Sequence, residues 1–115
     1  MNQNREEILI ENAREYYSSG KGEYGKGRYN SSVVLFFKSL IALCDLYVLR
    51  QTGESPSSHI KRFNVLKEKF PEIYDIVDKD FPFYQSSYVQ VMTKELSEVI
   101  AEDVRYISEK VEVTL

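Results

Sequence analysis

The stretch from Tyr29 to Thr52 limits the folds open to this chain more than any other. Its apolar residues Val33, Phe36, Phe37, Leu40, Ile41, Leu43, Cys44, Tyr47 and Val48 recur at spacings of three and four and cover more than half of a helix circumference. A helix apolar over so wide an arc has to be touched by several neighbours, so the stretch predicts a central helix. Asn30 or Ser31 can cap its start, and Gly53 stands where a left-handed residue ends a helix.

The remaining elements follow the same period. Asn4 to Ser19 carries Ile8, Leu9, Ala13, Tyr16 and Tyr17 on one face, and Gly20 is expected to stop it. A third helix begins at Ser57 or Ser58, whose hydroxyls satisfy free amides, and runs through Ile60, Phe63, Leu66 and Phe70. Pro71 opens a fourth, with Ile73, Tyr74, Ile76, Val77 and Phe81, which Pro82 should break or kink. A last helix starts near Thr93 and keeps Leu96, Ile100, Val104, Ile107 and Val111 inside with its carboxylates outside. No segment alternates as a strand does, so the expected fold is all-α. Short connections favour an up-and-down bundle of four to five helices.

No Pro-, Ser- or Gly-rich segment divides the 115 residues, which predicts one domain over 1–115. A chain of this size buries about two-thirds of its unfolded surface and needs no metal or disulfide to fold. Cys44, the single cysteine, lies in the apolar stripe and reads as a packing residue of an intracellular protein. Met1 to Ile10 holds Arg5, Glu6 and Glu7 where a leader needs apolar residues, and no run is expected to approach transmembrane length. A cytoplasmic location without membrane contact is therefore expected. A net charge of −3, from 15 basic and 18 acidic residues, argues against diffuse attraction to nucleic acid but not against a local basic patch.

Residues 20–27, Gly-Lys-Gly-Glu-Tyr-Gly-Lys-Gly, satisfy the dinucleotide pattern G-x-G-x-x-G at Gly20, Gly22 and Gly25. They also nearly form a phosphate loop, with Gly27 where a Ser or Thr hydroxyl would hold magnesium. Both motifs need a strand to deliver the glycines to a helix, and here a helix precedes them. The string is expected to be a flexible connector, made locally basic by Lys21, Lys26 and Arg28.

No cofactor or metal is expected: His59 has no second His or Cys beside it, and Asp75, Asp78 and Asp80 lack the spacing of a calcium loop. These aspartates read as a solvated face. Nucleophilic catalysis by Cys44 would require the thiol to leave its apolar stripe. His59, near a helix start, has Arg62 one turn on and Arg50 at the end of the preceding helix, an arrangement suited to phosphate. Nine tyrosines and no tryptophan form the other departure, with Tyr84 and Tyr88 one turn apart beyond Pro82. Tyrosine buries a ring and keeps its hydroxyl at a wet edge, which suits a groove, a subunit contact or ordinary packing.

Tyr29-Asn30 leading into Phe37-Lys38-Ser39-Leu40, the turn Gly53…Pro56-Ser57-Ser58-His59, and the tail Tyr84…Ser87-Tyr88…Thr93-Lys94-Glu95 together resemble a HEPN domain, from about Ala13 to Ile107. The resemblance implies a helical bundle, commonly dimeric, found in prokaryotes and often encoded beside a minimal nucleotidyltransferase. Catalytic members are ribonucleases carrying Arg, four to six residues, then His. Here Arg50 precedes His59 by eight intervening residues and no His follows Arg105, so that signature is absent. The Pro-x-x-His turn matches the non-nuclease branch instead.

Two functions from different classes follow. The first is a non-catalytic homodimer that binds a nucleotidyltransferase partner or a nucleotide through His59, Arg62, Arg50, Tyr84 and Tyr88. The second is a metal-independent ribonuclease of a toxin–antitoxin system that cuts RNA, with His59 as acid or base and Arg50 or Arg62 steadying phosphate charge.

Overall fold

All regular structure in the computed structural model, which describes residues 4–115, is helical. The chain forms α1 (Arg5–Gly25), α2 (Tyr29–Thr52), α3 (His59–Lys69), α4 (Pro71–Ser86) and α5 (Lys94–Lys110). Of the leader question posed over Met1 to Ile10, residues 1–3 lie outside the described residues.

The expected central helix is α2. Its Phe36, Phe37, Leu40, Leu43, Cys44 and Leu46 are all at most 2% exposed, and α1, α4 and α5 pack around it. Each large side chain so buried contributes roughly 1.5–3 kcal/mol relative to exposure, so this helix holds much of the driving force for folding. By length and composition α2 could also cross a bilayer, contrary to the expectation that no run approaches that length. In the fold 67% of its most apolar window is buried against the other helices.

Cross-helix pairs fix the directions. Ser39 meets Ala13 and Arg50 meets Glu6, so α1 and α2 are antiparallel. Phe37 stacks on Tyr84 while Tyr47 meets Phe70, so α4 is antiparallel to α2. Lys79 meets Asp103 and Glu72 meets Lys110, so α5 is antiparallel to α4. Helices α1, α2, α4 and α5 thus run up and down, and the short α3 lies on α4.

Most caps follow the sequence. Ser58 Oγ accepts from the Lys61 amide, Thr93 Oγ1 from the Leu96 amide, and Gly53 takes φ 85° at the end of α2. The start of α2 differs: Arg28 is the capping residue without a side-chain bond, and Asn30 and Ser31 are already helical. Asn30 is used elsewhere, its amide donating to the carbonyls of Ser87 and Gln90 and its oxygen accepting from the Met92 amide. It ties the α4–α5 connection to the first turn of α2. Pro82 does not end its helix, and α4 continues to Ser86. Ile60 is 75% exposed rather than part of the inner stripe of α3.

The glycine string is the largest correction. Helix α1 does not stop at Gly20 but runs to Gly25, leaving three residues before α2, of which Gly27 takes φ 75°. The string is the last part of a helix and a tight turn, not a connector or phosphate cradle. Gly20 is buried because the Phe36 ring lies against it: a Cβ there would stand 2.7 Å from two ring carbons. Such an approach offsets the roughly 1 kcal/mol that glycine costs within a helix. We expect Gly20→Ala to destabilise the fold by about 1–3 kcal/mol through overpacking. Gly22→Ala, where nothing lies within 4 Å, should stabilise it by about 0.5–1 kcal/mol. Urea unfolding of the two variants checks both signs.

Candidate functional site

Helices α1 to α4 leave a pocket of about 330 Å³ between them. Leu9, Asn12 and Tyr16 of α1 form one wall, Phe37, Lys38, Ile41, Ala42 and Asp45 of α2 the floor, and His59, Arg62 and Tyr84 the far side. Of the residues singled out from sequence, His59, Arg62 and Tyr84 come together here. Tyr88 extends the site outward, its hydroxyl 3.1 Å from that of Tyr84 and its side chain 69% exposed. Arg50 is not part of the lining. Its guanidinium binds Glu6 2.6 Å away and donates to the Val111 carbonyl, fastening the end of α2 to α1 and to the residue that follows α5.

The centre of the site is a carboxylate inside the apolar face of α2. Asp45 is 7% exposed, and burying a charge is costly unless a partner and hydrogen bonds meet it. Arg62 supplies both, donating from Nε to Oδ1 at 2.7 Å and from Nη2 to Oδ2 at 2.9 Å. This two-pronged geometry is specific to the guanidinium fork. The α3 start capped by Ser58 places Arg62 one turn in, where it reaches back to α2.

Arg62 Nη1 lies 2.8 Å from His59 Nδ1. A guanidinium only donates, so Nδ1 is the lone-pair nitrogen and Nε2 carries the hydrogen. Burial, and secondarily the Arg62 charge, hold the imidazole below its ordinary value of 6.5. His59 is therefore a neutral hydrogen-bond donor, its ring packed between Phe63 and Phe81 at centroid distances of 6.0 and 5.1 Å. Protonating Nδ1 would break the bond to Arg62, which makes this a poor general acid.

Lys38 is the pocket's cation without a carboxylate partner among the described residues, its ammonium lying 5.9 Å from the Tyr16 ring centroid. Asp45 cancels Arg62, so Lys38 leaves the pocket one positive charge. Aromatic rings also line the pocket: the half-buried Tyr84 stacks on the buried Phe37 at 4.7 Å and 20°. Sequence reasoning did not select Asp45, Lys38 or Tyr16 for the site. The readable signal was Asp45 itself, a carboxylate between Cys44 and Leu46 in an otherwise apolar face. Cys44 is fully buried as expected, and burial pushes its thiol well above the ordinary range, far from nucleophilic use.

No protein-family model matches the chain, and no curated protein matches it. Removing one member of the Asp45–Arg62 pair strands the other. We expect Arg62→Met to cost about 3–5 kcal/mol, and Asp45→Asn with Arg62→Met to recover most of it, measured by denaturant unfolding as a double-mutant cycle.

Proposed function

We propose that this chain is a non-catalytic, HEPN-like binding domain, cytoplasmic and homodimeric, whose α1–α4 pocket takes a nucleotide. The observation that carries this reading is the uncancelled charge of Lys38 at the rim of an aromatic pocket. A phosphate pairs with the ammonium, while the half-buried Tyr16 and Tyr84 offer ring surface to a base. Arg62 is not the charge that meets the phosphate: three of its five N–H donors go to Asp45 and His59, and the Asp45 carboxylate cancels its charge. Arg62 keeps the floor neutral and the imidazole oriented instead.

A protein partner is the second reading. Tyr88, Val89 and Val91 are 69, 82 and 88% exposed in the segment that Asn30 holds in place, a fixed apolar projection suited to a nucleotidyltransferase or a second copy of the chain. The ribonuclease reading has less support, because Arg50 lies outside the pocket lining and His59 Nδ1 is engaged.

Calorimetric titration with mononucleotides should give saturable binding that Lys38→Ala weakens about 10-fold or more and Lys38→Arg largely keeps, in line with loss of a charge-assisted contact of about 1.5–3 kcal/mol. No heat with any nucleotide would remove this ligand class and leave protein partners. In an RNA-cleavage assay the wild type and His59→Ala should both be inactive; cleavage that vanishes in the variant would establish an enzyme. Light scattering should report twice the chain mass, and a monomer at high concentration would refute the dimer.

A further inference from the structure

Asp80 was expected on a solvated face with Asp75 and Asp78, yet it is 0% exposed, on the inner stripe of α4 with Ile73 and Val77. Neither of its oxygens has a hydrogen-bonding cation or amide. Lys79 Nζ lies 2.9 Å from Asp103 Oδ2 on α5 and 3.8 Å from Asp80 Oδ1. Two carboxyl groups thus meet one ammonium that is itself half exposed. If both were ionised, a net negative charge would stand where Asp80 has no contact with water, and the interior does not support that without a partner. A single proton resolves it: Asp80, neutral, donates to Asp103, and Asp103 as carboxylate faces Lys79.

We propose that closing the α4–α5 seam takes up one proton, held between Asp80 and Asp103, and that alkali weakens the seam by removing it. The surroundings agree. The fully buried Cys44 of α2 feels the charge of Asp80, Glu102 of α5 acts on Lys79, and among the described residues Lys79 is the one cation paired with the two aspartates. Burial, the hydrogen bond to Asp103 and the charge of Asp103 together raise Asp80 to about 8, Lys79 opposing them. The sign follows from the raised value. Unfolded Asp80 loses its proton near 3.8 and folded Asp80 near 8, so the contribution to stability is full below the first and lost as pH rises through the second.

Asp80→Asn keeps the shape and a donor toward Asp103 without an ionisable group. Thermal unfolding of both proteins between about pH 5 and pH 9 should show the wild-type Tm falling relative to the variant by about 5 °C per pH unit up to about pH 8. His59 acts oppositely, its contribution falling as pH drops below the ordinary histidine range, but both proteins share it and it leaves the difference unchanged. Should the variant fail to fold, carboxyl-carbon NMR of the wild type decides the matter. An Asp80 midpoint near 8 supports the shared proton. Titration of Asp80 with the exposed aspartates, or a pH-independent Tm difference, overturns it.

Discussion

Three polar side chains buried on α2 hold the bundle in register. Ser39 donates to the Ala13 carbonyl of α1, Ser32 pairs with Ser97 of α5 at 2.5 Å, and Asp45 binds Arg62 of α3. Apolar contact alone tolerates sliding and rotation between helices. A buried polar group does not, because a shift leaves a donor or acceptor unmet at a cost of about 1–3 kcal/mol. With α2 enclosed on so many sides, these bonds determine which residue of each neighbour sits opposite which. The pocket follows from them: Arg62 is pulled to Asp45, His59 follows one turn earlier, and Tyr84 completes the wall by stacking on Phe37.

The two buried aspartates show how differently one residue type can be accommodated. Asp45 meets a guanidinium of matching shape, and both of its oxygens have their hydrogen bonds made. Asp80 has no such partner, because the nearest cation, Lys79, already serves Asp103. One arrangement places an arginine in the site wall, and the other places a proton in the seam between α4 and α5. Both lie on helices that line or border the pocket, and Phe81, adjacent in sequence to Asp80, touches His59.

Helix number, most of the boundaries and the central place of α2 were legible from spacing. The stripes through Leu9 and Ala13 of α1, Ile73 and Val77 of α4, and Ile100, Val104 and Ile107 of α5 all face inward. Gly20 misled, because its sequence neighbours resemble a phosphate loop while its purpose is to admit the Phe36 ring from another helix. Asn30 misled similarly: a good capping residue by type, it is drawn off by three backbone groups some 60 positions away. In the site, His59, Arg62 and Tyr84 could be grouped by residue type and position, whereas Arg50 could not be excluded without seeing Glu6 and the Val111 carbonyl.

Periodicity and capping chemistry are local, so the sequence by itself determined the all-α class, the helix limits at Gly53, Ser58, Pro71 and Thr93, and the burial of α2. Which polar groups are met depends on atoms distant in the chain, and the tertiary structure alone decided that. It made Asp45 a charged anchor and Asp80 the holder of a proton, fixed His59 as a neutral donor, and left Lys38 as the pocket's uncancelled charge. The physical reason is that desolvation and pairing energies depend on three-dimensional surroundings, which residue order encodes only through the completed fold.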